Sequence, residues 1–258
     1  MFSDTVSTSI KGLLKQGFEH MGLQVRRVPR VAKPFSDAFS DQVQLLDPLN
    51  VKTIFDVGAN IGQTTQRYVE LFPLASIKSF EPFGLTYREL CSRVAHMQNV
   101  QPFELAIADK SGPGDFYVNR AHFTNSMLAP SKIATDYIDE ETIGNIDKMA
   151  VSAMSLDDFC DKHAVQKIDI LKMDIQGGEL LALKGAKRLL SSSSVGLIYT
   201  EVEFVQLYEG QPDICDLTKH LADYGFILYG LYDLHAGKNG RLSWGDAIFV
   251  PEHTLSSA

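Results

Sequence analysis

The sequence predicts an α/β fold: a mostly parallel sheet with helices on both faces and one antiparallel strand near the end. Three observations predict it. From Val51 onward, short apolar runs alternate with amphipathic stretches, the pattern of strands joined by crossover helices. Runs such as TIFDVG (53–58) and KIDILKMDI (167–175) are rich in apolar residues, as expected of strands buried on both faces. The last two runs, GFILYGLY (225–232) and GDAIFV (245–250), have only a loop between them, so they should pair antiparallel.

Taken in order, TIFDVG is the first strand and residues 63–72 a helix. SIKSFEP (76–82) is the second strand, ending at Pro82, and residues 85–97 a helix. VQPFELAIAD (100–109) carries the third strand, which Ala108 and Asp109 follow. KIDILKMDI opens into a helix over 179–190, VGLIYTEV (195–202) is a further apolar strand, and residues 214–224 form a helix before the closing pair. Residues 110–150 break this rhythm. SGPGDFYVNR (111–120) holds a turn and a short strand, and the stretch after it is polar and irregular, which suits either a substrate-side lid or a disordered surface excursion. Ser155 then stands where an N-cap would, followed by Asp157 and Asp158, acids favoured in a first helical turn.

Residues 1–50 form an N-terminal extension to a main domain at 51–258. Ile10, Leu13, Leu14, Phe18 and Met21 fall near helical spacing, and Arg26, Arg27 and Arg30 follow. A helix packed on the main domain is the simpler reading; a membrane-surface or partner-docking helix is the other.

The formal net charge of −8 argues against nucleic acid as the main partner, because phosphate backbones are met by a basic face. Cys91, Cys160 and Cys215 lie far apart with no CxxC pair. They are expected to be reduced, mostly buried thiols of a cytoplasmic protein. No run approaches the ~18 apolar residues of a membrane span, and the N-terminus has no signal-peptide core.

The chemistry-bearing positions follow from the fold, because doubly wound sheets bind ligands beyond the carboxyl ends of their strands. Each of those ends carries an acid: Asp56, Glu81, Asp109, Asp174, and the pair Glu201 and Glu203. Carboxylates are poor strand residues and costly to bury unpaired, so the repetition points to a ligand. The first loop, Gly58-Ala59-Asn60-Ile61-Gly62, lacks the close second glycine that lets a backbone approach a pyrophosphate, which disfavours a nicotinamide dinucleotide. Glu81 follows Gly58 at close to the ~20-residue interval at which an acid meets ribose hydroxyls. An adenosyl ligand without phosphates is implied.

DVGANIG, FEP, AIAD, LKMDIQGGELLALKGA and the E-x-E-F-x-x-x-Y run at 201–208 together resemble the FkbM family of S-adenosylmethionine-dependent methyltransferases. The resemblance runs from about Val51 to Pro251. It implies a Rossmann-like, seven-stranded sheet whose last strand is antiparallel. It also implies that Asp56, Gly58, Asn60 and Gly62 line the methionine end of the cofactor and that Glu81 takes the ribose hydroxyls. Ala108 and Asp109 would then flank the adenine, and Phe83 either packs on the adenine face or is ordinary core. Gln176 stands where many family members have Glu, and is given no catalytic role.

Methyl transfer to a hydroxyl requires loss of a proton. Asp174 is the leading base; capping the following helix or a cofactor contact are its alternatives. Lys172, two residues earlier on the same strand face, ranks below it. Glu201 and Glu203 are read as contacts to acceptor hydroxyls. No metal is predicted, although with Asp174 they offer the hard oxygens a divalent cation takes. Thr124, Asn125 and Ser126 of the insert are further acceptor contacts. His122 and His235 lie in loops that reach the same mouth. The expected activity is O-methylation of a glycan or secondary metabolite. A domain that keeps the cofactor site but only recognises a glycan or a protein is the alternative.

Overall fold

The computed structural model describes residues 37–255, so the expected helix near residues 9–25 and the basic cluster after it lie outside the described residues. The first described element, α1 (Ala38–Leu45), is capped by Asp37, whose carboxylate accepts from the Phe39 and Ser40 amides. It packs Ala38 and Phe39 into the core. Its polar face is tied down as well, through Tyr68 to Gln42 and Tyr232 to Asp41 hydrogen bonds. This helix thus shares the core of the sheet that begins after Val51.

The main sheet contains β1 (Thr53–Val57), β2 (Ser76–Phe80), β3 (Val100–Phe103), β7 (Ile168–Met173), β8 (Val195–Glu203), β9 (Phe226–Ala236) and β10 (Leu242–Pro251). Their order is β3-β2-β1-β7-β8-β10-β9. All the pairings from β3 to β8 are parallel, and β10 runs antiparallel between β8 and β9. The last strand is the antiparallel one, as expected.

Strand residues alternate between two cores. Phe55, Leu171 and Ile198 face a layer containing α5 (Leu156–Lys162), α6 (Glu179–Lys184), α7 (Lys187–Ser191) and α8 (Ile214–Ala222). Ile54, Ile170 and Leu197 face α1 and α2 (Gln63–Leu71). This double burial explains why the strand sequences are so rich in apolar residues. Helix α3 (Gly84–Val94) adds Leu90 and Val94 to a smaller cluster with Ala59. Ser155 caps α5 by accepting from the Asp158 amide. The helix expected over 179–190 is two helices, divided at Gly185-Ala186.

Two expectations change. VQPFELAIAD is not one strand: β3 ends at Phe103, and β4 (Ala106–Ile107) leaves the main sheet to pair with β6 (Asn145–Met154). The 110–150 segment is also ordered. Its β5 (Gly112–Asn119) pairs antiparallel with β6, giving a second sheet of order β4-β6-β5. The turn beyond it is pinned to the segment after β8 by main-chain bonds from Ser131 to Leu207 and from Glu209 to Ala129. A small core of Ala134, Tyr137, Ile143 of the short helix α4 (Glu140–Ile143), Leu207 and Tyr208 fills the space between. The thiols are free, and only Cys160 is buried; Cys215 is exposed.

Candidate functional site

The strand order reverses between β1 and β7, and ligands bind at such switch points. There the loop after β1 meets the residue after β7. The Asp174 amide donates to the Val57 carbonyl, and Gly58 has φ +73°. A side chain at residue 58 would begin 1.8 Å from the Asp174 carbonyl oxygen. Glycine is needed both for the dihedral and for the close approach. Gly58→Ala should cost roughly 2–5 kcal/mol. A urea melt with an unchanged midpoint would show that the loop relaxes instead.

A cavity of about 240 Å³ opens at this point. Gly58, Asn60, Glu81, Asn125, Asp174 and Glu201 are the sequence-predicted residues in its wall. Glu81 is 8% exposed. Its Oε2 accepts from the Asn60 amide at 3.1 Å and its Oε1 from the Phe83 amide at 2.9 Å. One backbone donor to each oxygen fixes the carboxylate and leaves lone pairs for a ligand. Burial pushes Glu81 up to about 7, against the lowering effect of those two amides.

Asp56 is fully buried and outside the cavity wall. It faces Lys172 across the β1–β7 register, with Lys172 Nζ 3.0 Å from Asp56 Oδ1 and 3.0 Å from the Gly58 carbonyl. Thr65 donates to the other Asp56 oxygen at 2.6 Å and meets Ser79 at 2.8 Å. Burial tends to strip the Lys172 proton, but Asp56 and Asp174 outweigh it and hold the ammonium above its ordinary range. The ammonium is thus a brace for the glycine loop. Lys172→Met would strand a buried carboxylate and should destabilise the fold by about 3–5 kcal/mol, read by chemical denaturation.

Other predicted residues also lie behind the wall. Gly62 opens α2 at φ +92°, and a side chain there would meet Leu90. Phe83 is core, near-parallel to Phe116 at 6.4 Å and edge-on to His122 at 5.0 Å. Ala108 is buried in the same cluster, and Asp109 is exposed outside the cavity. Because β4 leaves the main sheet, Leu105, Ala106 and Ile107 line the cavity instead, with Phe116 and Met127. Thr124 spends its hydroxyl on the Ala121 and Thr142 carbonyls. Asn125 accepts from the Asn119 amide, but its buried Nδ2 has no protein partner. Ser126 donates to the Gln176 carbonyl at 2.7 Å. His122 and Phe123 join the wall; His235 stacks on Trp244 outside it.

The residue that sequence reasoning set aside is Gln176. It has φ +55°, a conformation uncommon for a side chain of this size. Its amide nitrogen donates to Asp174 Oδ1 at 2.9 Å and to Glu201 Oε2 at 2.7 Å. Its amide oxygen lies 2.8 Å from the Tyr208 hydroxyl. Gln176 thereby ties together Asp174 and Glu201, two of the three carboxylates in the wall. Glu203 is buried behind them, without contact to the cavity.

Comparisons with known proteins bear on the family and the fold. A profile described as the methyltransferase FkbM domain matches residues 56–228. The 2-O-methyltransferase NoeI of Sinorhizobium fredii is 30% identical over 165 residues, which are 61% of this chain and 66% of that protein. The methyltransferase sdnD of Sordaria araneosa is 27% identical over 51% of this chain and 59% of its own length. The chain therefore spans less than two thirds of either relative. A crystal structure of methyltransferase FkbM from Methylobacillus flagellatus matches with a TM-score of 0.51 at 17% identity, covering 79% of this chain and 45% of that one. That last likeness is one of fold.

Proposed function

The chain belongs to the FkbM methyltransferase family, and from that premise we propose that it is an S-adenosylmethionine-dependent O-methyltransferase acting on a hydroxyl of a sugar or secondary metabolite. The observation that carries this reading is the pairing of Glu81 and Asp174 in one cavity wall. One is braced for a diol and the other stands at the mouth. The names of the relatives, a 2-O-methyltransferase among them, support the oxygen acceptor.

The cavity fits the cofactor by its chemistry. Glu81 offers an acceptor to each ribose hydroxyl. Leu105, Ala106 and Ile107 give an apolar wall for the base. Gly58 and Asn60 bring backbone close to the amino-acid end. The unpartnered Asn125 amide is a donor awaiting a ligand oxygen. When bound, S-adenosylmethionine supplies a methyl group already activated on a sulfonium.

The chain's own task is to orient the acceptor, exclude water and remove a proton. Asp174 is exposed at the cavity, and Gln176 holds its Oδ1. Its Oδ2 accepts the hydroxyl proton as the oxygen–methyl bond forms. Gln176 is a positioning residue, since it aims Asp174 and Glu201 through one amide nitrogen. Glu201 contacts the acceptor's neighbouring hydroxyls.

The test is incubation with methyl-labelled cofactor and a panel of hydroxylated acceptors, alongside calorimetry with S-adenosylhomocysteine. Transfer to an oxygen supports the proposal. Cofactor binding without transfer to any acceptor favours a recognition module, and absence of binding overturns the cofactor assignment.

A further inference from the structure

At the cavity wall and behind it lies a cluster of three carboxylates, of which the methyl-transfer scheme uses only Glu201. Glu179 opens α6, while Glu201 and Glu203 sit two residues apart on β8 and so project to the same face of the sheet. One carboxylate oxygen from each lies within 4.8 Å of the other two. Glu179 and Glu203 are 0% and 1% exposed.

The hydrogen bonding around this set is incomplete. Glu179 uses one oxygen to accept from the Ile175 amide, and Glu201 uses one to accept from Gln176. The second Glu179 oxygen is buried without a partner, and so are both oxygens of Glu203. None of the ion pairs among the described residues includes any of the three. Burial pushes all three upward in pKa. Glu179 reaches about 7, and mutual repulsion with Asp174 and with one another adds to the rise at Glu201 and Glu203. Buried polar groups in native folds are satisfied as a rule, and buried charges are paired or coordinate metals.

We propose that Glu179, Glu201 and Glu203 form a site for one hard divalent cation of the magnesium, manganese or calcium type. The donor set is all oxygen, which such ions prefer over softer metals. Oxygens at 2.0–2.6 Å on opposite sides of an ion are about 4–5 Å apart, so the observed spacing accommodates one. Glu201 lies in the cavity wall and gives the ion a route in. The sequence pointed to Asp174, Glu201 and Glu203 as the oxygens that would suit a cation. The structure replaces Asp174 with Glu179, because Gln176 holds Asp174 on the cavity side. This proposal shares Glu201 with the methyl-transfer reading but concerns ion binding, and ion binding alone tests it.

The test uses the full chain, stripped with a chelator and dialysed. Manganese(II) is titrated in while its free electron paramagnetic signal is followed, and magnesium and calcium are then added as competitors. The expected result is one bound ion per chain, displaced by magnesium or calcium, with a raised melting temperature in the ion's presence. Glu203→Gln should weaken manganese binding at least about tenfold, while its far-ultraviolet circular dichroism and the cooperativity of its urea melt match those of the native chain as a check on folding. If Glu203→Gln does not fold, Glu179→Gln is read in the same way. Absence of manganese, magnesium and calcium binding by the native chain overturns the proposal, and so does undiminished manganese binding by a folded variant. Either result would mean that protons, not an ion, neutralise the three carboxyls.

Discussion

Glu81→Ala should weaken S-adenosylhomocysteine binding by at least about 100-fold. A hydrogen bond to a charged group is worth about 1.5–3 kcal/mol, and the ribose diol would lose two. The substitution also releases the Asn60 and Phe83 amides, which Glu81 holds at 3.1 and 2.9 Å, so the glycine loop loses its brace on the cavity side. Affinity should depend on pH as well. In the free protein, burial holds Glu81 at about 7, so the carboxyl is largely protonated below that value. Two hydroxyl donors favour the ionised form, which accepts from both; the protonated form must give up one acceptor position. Binding should therefore tighten as pH rises through about 7, flatten above it, and release a proton near neutrality. Calorimetry between pH 5.5 and 8.5 measures this directly. A flat profile, or undiminished binding by Glu81→Ala, would take the diol away from Glu81.

Asp174→Asn should retain cofactor affinity and lose about 10²–10⁴-fold in turnover, the usual worth of a positioned general base. The change is isosteric, and no helix cap is lost, because Gly178 and not residue 174 precedes α6. It removes the charge beside Gln176 and the capacity to accept the acceptor's proton. A variant that merely disturbed packing would lose cofactor affinity and turnover together. One that loses only the base keeps its affinity and recovers part of its rate at high pH, where the hydroxyl ionises without help. Full turnover by Asp174→Asn would pass the base role elsewhere in the wall.

Much of the sheet could be read from the sequence, because strands buried on both faces carry one of the strongest patterns a sequence holds. TIFDVG and KIDILKMDI announced β1 and β7, and the acids that end strands two and four, Glu81 and Asp174, do line the cavity. What was not legible has specific causes. The break between Phe103 and Ala106 is invisible because both pieces are strand; only the partner changes, from β2 to β6. That switch displaced the expected Ala108 and Asp109 and brought Leu105 to Ile107 into the wall. The family resemblance implies a cofactor contact for Asp56, while the register sets it opposite Lys172, outside the cavity wall, and the pair closes on itself. The α1 helix did leave a signal in Asp37, a good cap before an apolar spacing. Gln176 left none. Its role depends on a left-handed backbone and on partners drawn from β8 and Tyr208, remote in sequence.

The two-sheet plan has a practical consequence for redesign. The stretch between β5 and β6 departs at Asn119 and returns at Asn145, and these two residues are partners across the same ladder. Loop length grows cheaply in free energy once its ends are held, so a longer or shorter segment grafted there starts and finishes on fixed ground. The Glu81 side of the cavity is built from β1, β2 and their loops, which the graft does not touch. Chimeras exchanged between Asn119 and Asn145 that retain the cavity-lining His122, Phe123, Asn125 and Met127 should keep cofactor affinity while changing which alcohol is methylated.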